Sequence, residues 1–127
     1  MSLAIDISTH HGGAERIAIG GRLDSNTSTE LEDAARSIIE SPPGTVILDL
    51  GELEYISSAG LRVIFRIQKA VTGIDGQVLI VNLKPQVKKV FEIIDALPTM
   101  SVFKSYEEMD EYLDLMQRRE IEKQGGA

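Results

Sequence analysis

Two adjacent serines, Ser57 and Ser58, precede Arg62, Arg66 and Lys69, and this group is the part of the sequence best equipped for chemistry. Positions 58, 62, 66 and 69 run i, i+4, i+8, i+11, so in a helix the Ser58 hydroxyl and the three cations share one stripe. A helix N-terminus attracts anions through its free N–H groups and its macrodipole. The chemistry on offer is therefore acceptance of a phosphoryl group by Ser58, with the new charge held by the helix start and within reach of Arg62. The whole chain carries a net charge of −7, which makes the stripe a local reversal of sign. A solvated helix face that happens to be basic has the same spacing, and the stripe alone does not separate the two readings.

Other chemistries find little support. The nucleophile elbow of hydrolases needs Gly-x-Ser-x-Gly, and Ile56 stands at its first glycine. His10 and His11, the only histidines, read as polar turn residues, because adjacent side chains diverge and no cysteine lies near to complete a metal site. Neither a Gly-x4-Gly-Lys-Ser/Thr loop nor a dinucleotide glycine fingerprint is present. An aspartyl phosphoacceptor domain would need an acidic residue at the end of a strand, whereas Asp6 and Asp49 fall inside strands. No cofactor is expected, and the chain does not read as an enzyme.

The elements that must position the serines follow from periodicity. Val46, Ile47, Leu48 and Leu50 form a branched apolar run, as in a strand covered on both faces. From Leu61 the period changes, with Leu61, Ile64, Ile67 and Val71 on one helical face and Phe65 beside it. Ser57 or Ser58 caps that helix, and Gly60 in its first turn lets another backbone or a partner come close. Gly73 closes it.

Before this unit, Leu3 to Ser8 and Arg16 to Gly20 alternate as the two strands of an antiparallel hairpin. Gly21 to Asn26 then leads into a helix with Thr27 and Glu30 as a capping box and Leu31, Ala34, Ala35, Ile38 and Ile39 inward. Ser41-Pro42-Pro43-Gly44 stops it. After the unit, Gln77 to Asn82 reads as a buried strand. Pro85 opens a helix with Val87, Val90, Phe91 and Ile94 inward, ended by Leu97-Pro98, and Met100 to Phe103 forms a short peripheral strand. Ser105 and Glu108 make a second capping box ahead of a helix with Met109, Tyr112, Leu113 and Met116 inward.

The order β-β-α-β-α-β-α-β-α predicts an α/β fold with about four helices and a mixed, mostly parallel sheet opening on an antiparallel hairpin. Its 127 residues suit a single domain, with an ordered core from residue 3 to about 116 and a polar tail over 117–127 that frays. With no cysteine, disulfides are excluded. No apolar run approaches the ~20 residues of a membrane span, and no signal peptide opens the chain. A cytoplasmic protein is expected, with no membrane and no direct nucleic-acid contact, since an acidic chain repels a phosphate backbone. In open sheets of this kind ligands and partners are met at the carboxyl ends of strands. Tyr55 to Gly60, and the loop from Leu23 to Thr27, fall at such ends.

Asp49-Leu-Gly-Glu-Leu-Glu-Tyr-Ile-Ser-Ser-Ala-Gly-Leu-Arg-Val-Ile resembles the signature of STAS domains, and more narrowly that of bacterial anti-sigma factor antagonists. Gly21-Arg-Leu-Asp24 resembles the family's second motif, and the likeness extends from Leu3 to about Met116. Aligned on Tyr55, Gly60 and Leu61, the family's phosphorylated serine falls on Ser58. Ser57 replaces the usual preceding aspartate, which removes one negative charge and makes Ser57 a possible second acceptor; Ala59 replaces the usual following serine or threonine. The resemblance implies a switch: the unmodified protein binds an anti-sigma factor serine/threonine kinase and frees the sigma factor, the phosphorylated one lets go, and a PP2C-type phosphatase resets it. It places Asp24, Ser25 and Asn26 next to the acceptor; with Ser57, Ala59, Gly60, Leu61 and Arg62 they are the candidate partner interface, on a chain expected to be monomeric when alone. The alternative is a STAS scaffold or sensor module that binds a small ligand or joins a larger assembly without a phosphorylation cycle.

Overall fold

The computed structural model describes residues 3–10, 12–93 and 100–125. Along the chain run β1 (Ala4–Thr9), β2 (Glu15–Leu23), α1 (Ser28–Ala34), α2 (Arg36–Glu40), β3 (Thr45–Ile56), α3 (Ser58–Thr72), β4 (Gln77–Val81), α4 (Pro85–Ile93), β5 (Ser101–Phe103) and α5 (Tyr106–Gly125). The five strands lie side by side in sequence order, with β1 antiparallel to β2 and every later pair parallel. This is the mixed α/β sheet that the alternating pattern predicts.

Strand alternation sends Val46, Leu48 and Leu50 of β3 to one face and Ile47 to the other. On the first face they join Ile17, Ile19, Val78 and Ile80 under Leu31 of α1, Ile38 of α2, the apolar side of α3, and Val87 and Phe91 of α4. On the second face Ile47, Leu79, Val81 and Phe103 are covered by Met109 of α5. The helix α3 alone buries Leu61, Val63, Ile64, Ile67 and Val71. At about 1.5–3 kcal/mol for each such side chain as an upper value, burial far outweighs helix propensity in holding α3 on the sheet.

Several expectations change. The first helix is interrupted at Ala35, giving α1 and α2 and, among the described residues, five helices rather than four. The capping box of Thr27 and Glu30 does not form: Thr27 makes no side-chain cap bond, and Glu30 Oε1 accepts the Leu3 N–H at 3.3 Å instead. Ser105 does cap α5, its Oγ accepting the Glu108 N–H at 3.2 Å. That helix continues past residue 116 to Gly125, and Met116 is 41 % exposed rather than inward. Ile94, Leu97 and Pro98 lie outside the described residues, as does His11. His10 is more than a turn residue: its Nε2 lies 3.0 Å from Asp110 Oδ1 and its ring stacks on Tyr106.

One polar network ties α5 to the sheet. Asp49 Oδ2 accepts the Tyr106 hydroxyl at 2.7 Å and Arg16 Nη2 at 3.3 Å, while its Oδ1 accepts the Gly51 N–H at 3.0 Å and Asn82 Nδ2 at 3.3 Å. Arg16 also bonds the Tyr106 oxygen and reaches Asp6 at 3.0 Å. Burial pushes the Asp49 carboxyl up, but these donors outweigh it and hold it below the ordinary aspartate value. A carboxyl depressed in the folded state adds stability above its unfolded pKa of about 3.9, and that stability is lost as pH falls through the folded value. Asp49→Asn is therefore expected to lower the urea midpoint at neutral pH, with the deficit shrinking below about pH 4. Urea titrations of both proteins across the acid range check the sign.

Candidate functional site

The start of α3 is built by its contact with the end of β2. Leu23 pairs with Ile56 in parallel register, and the Ser57 N–H donates to the Leu23 carbonyl at 2.9 Å. Gly60 is buried there. A Cβ at that position would lie 2.5 Å from Leu23 Cγ and 3.0 Å from the Leu23 carbonyl oxygen, so only glycine lets the first turn of α3 seat on the loop after β2. The expectation of a close backbone approach at Gly60 thereby acquires its partner, Leu23.

The two serines take different parts. Ser57 is the N-cap, in extended backbone, and its Oγ accepts the Gly60 N–H at 3.3 Å. Ser58 is the first helical residue and is exposed. Ser57→Ala removes the cap and is expected to cost about 1 kcal/mol, measured by urea unfolding, whereas Ser57→Asp, also a good cap, costs much less.

The loop beside them is set by its own hydrogen bonds. Asp24 Oδ1 accepts the N–H groups of Asn26 at 2.9 Å and Thr27 at 3.0 Å. Thr27 Oγ1 accepts the Asp24 N–H at 2.9 Å and donates to the Arg22 carbonyl at 2.7 Å, which is why it is unavailable for the expected capping box. The Thr27 N–H, followed by that of Asn26, the Thr27 hydroxyl and the charge of Arg22, holds the Asp24 carboxyl below its usual range. Ser25 and Asn26 project into solvent, and Asp24 is half-buried.

The remaining residues singled out in the sequence divide by depth. Arg62 is exposed and Ala59 half-buried, whereas Gly60 and Leu61 lie beneath the surface and support it from below. Of the basic stripe, Arg66 is engaged with Glu32 of α1, which leaves Arg62 as the cation one turn from Ser58. Arg22 and Tyr55 lie within the quoted motifs, but the sequence did not mark them as contacts. They are partners in the β2–β3 register, and the Arg22 guanidinium stands 4.2 Å from the centre of the Tyr55 ring. Among the described residues no group of three or more His, Asp or Glu could hold a metal ion, and no helix is long and apolar enough to cross a membrane.

A family model described as the STAS domain matches residues 7–109. The chain belongs to the STAS domain family. This STAS domain is 38% identical over 87 residues to BtrV of Bordetella bronchiseptica, which is named as an anti-sigma factor antagonist; the match takes in 68% of this chain and 75% of that one. Its fold is similar to that of the anti-sigma factor antagonist SpoIIAA in its unphosphorylated form, at 17% identity and a TM-score of 0.68, covering 90% of this chain and 98% of that one. It is similar also to SpoIIAA of Bacillus in the phosphorylated form, at 19% identity and a TM-score of 0.67, covering 86% and 99%.

Proposed function

We propose that this STAS domain is an anti-sigma factor antagonist that binds an anti-sigma factor serine/threonine kinase when unmodified and releases it when Ser58 is phosphorylated, a PP2C-type phosphatase restoring the first state. The supporting observation is the division of labour between adjacent hydroxyls: Ser57 is committed to the Gly60 N–H, and Ser58 stands exposed at the first position of α3. The name carried by BtrV and the two forms of SpoIIAA point the same way. Nothing in this scheme is catalysis by the STAS domain; the phosphoryl group is transferred by the kinase and removed by the phosphatase.

Incubation with the cognate kinase and ATP, followed by mass spectrometry, is expected to find one phosphate, on Ser58. A Ser58→Ala protein phosphorylated as well as the wild type would defeat the assignment. The scaffold or sensor reading draws on one observation, a groove of about 1310 Å³ lined by Ala18, Gly20 and Gly51 with Asn82, Lys84 and Phe103. Size-exclusion chromatography separates the two: a monomer that pairs with the kinase fits the switch, and a large stable assembly fits the scaffold.

A further inference from the structure

We infer that Arg22 and Tyr55, at the strand ends that lead into the loop after β2 and the turn before Ser58, form a pre-set anchor on which the kinase partner docks through an apolar recess bordered by carboxylates. The inference rests on the antagonist reading and adds to it two residues that fall within the quoted motifs without being among the expected contacts. Arg22 immediately precedes Leu23, and Tyr55 immediately precedes Ile56. Leu23 and Ile56 are buried and paired with each other, so strand alternation sends Arg22 and Tyr55 outward together. The guanidinium lies over the ring, and Tyr55 is still 40 % exposed.

A large side chain that is already held loses less freedom when a partner covers it, and tyrosine and arginine are over-represented among the residues that dominate interface energies. Charge adds the nature of the partner. In a chain of net charge −7, the guanidinium groups closest in sequence to Ser58 and its neighbouring loop are Arg22 and Arg62, and neither takes part in an ion pair among the described residues. Asp24, an acidic residue of the adjoining loop, turns Oδ1 back into that loop, though its carboxylate also feels the Arg22 charge. A partner surface carrying carboxylates complements this patch. The same carboxylates would repel a phosphate on Ser58, so the anchor and the switch use one charge pattern.

Calorimetric titration of the purified cognate kinase into the full chain tests this. Tyr55→Ala is expected to weaken binding by about 30-fold or more, and Arg22→Glu by a similar factor, whereas Tyr55→Phe, which keeps the ring, stays within about threefold. Ile74→Ala, which trims an exposed apolar side chain just beyond the other end of α3, is expected to bind as the wild type does. Urea midpoints of each variant separate loss of the fold from loss of contact. Tyr55→Ala binding within about threefold of wild type overturns the anchor and leaves the antagonist reading in place. Absence of any binding by the unmodified wild type overturns both. Equal binding by wild type and Ser58→Glu, together with loss in Tyr55→Ala, sustains the anchor and overturns the switch.

Discussion

Ser58→Glu is expected to lower affinity for the anti-sigma factor kinase by about a thousandfold, or about 4 kcal/mol, while leaving the urea midpoint and the far-ultraviolet spectrum nearly unchanged. One charge meets two environments. In the free protein the carboxylate sits at the start of a 15-residue helix, where N–H groups and the macrodipole favour it by about 0.3–1 kcal/mol. In the proposed complex the same group would lose water against a surface expected to offer it no cation, a penalty of about 3–5 kcal/mol for a buried unpaired charge. The second effect wins, and it acts only in the complex. Phosphate carries more charge than glutamate, so the phosphorylated protein is expected to bind more weakly still. Calorimetry with both forms provides the comparison; an affinity within about tenfold of wild type for Ser58→Glu would remove the interface mechanism.

The second large effect is expected at Gly60. A β-branched side chain there meets Leu23 at distances no packed Cβ tolerates, so Gly60→Val is expected to destabilise the domain by about 3 kcal/mol. Replacing glycine inside a helix normally gains up to about 1 kcal/mol, which the clash must overcome. Leu23→Ala, from a fully buried position, is expected to cost about 2–5 kcal/mol on its own. The two changes share one space. In the double variant part of the clash is relieved, so the combined loss falls short of the sum by about 0.5–3 kcal/mol. Some clash remains, because the Leu23 carbonyl oxygen does not move away with its side chain. Denaturant unfolding of the four proteins measures the coupling, and strict additivity would mean that the turn of α3 and the loop after β2 are not seated on each other.

Local pattern carried the architecture well. The period of 2 in β1 and β2, the apolar run of β3 and the period of 3.6 in α3 each report a face that must be buried, and each became the element its pattern implied. Features decided between distant residues were invisible. The network of Arg16, Asp49 and Tyr106 joins positions that only the folded sheet and α5 bring together. The stacking of Arg22 on Tyr55 depends on a register that shifts between Gly21 and Arg22, an irregularity with no plain sequence signal. The capping box at Thr27 failed for a similar reason: Asp24 and Leu3 offered Thr27 and Glu30 other partners. The break at Ala35 has no proline or glycine to announce it.

At the site, the motif spacing located the serines, and the fold distinguished them. Either hydroxyl could have capped the helix on sequence grounds. Backbone geometry gives that task to Ser57, through the bond from its own N–H to Leu23 and the bond from Gly60 to its Oγ.

The outer position of β1 bears on how the protein behaves when concentrated. Among the described residues no strand flanks β1 on its far side in the sheet order, and of its residues from Ala4 to Thr9 only Ile5 is even half-buried. A margin of this kind, with Ile7 facing water, is a template for strand addition from another copy. Mutual repulsion between chains of charge −7 opposes such stacking. Acidification toward the isoelectric point removes that repulsion, and turbidity in stored samples would then start from the hairpin, far from Ser58 in the chain.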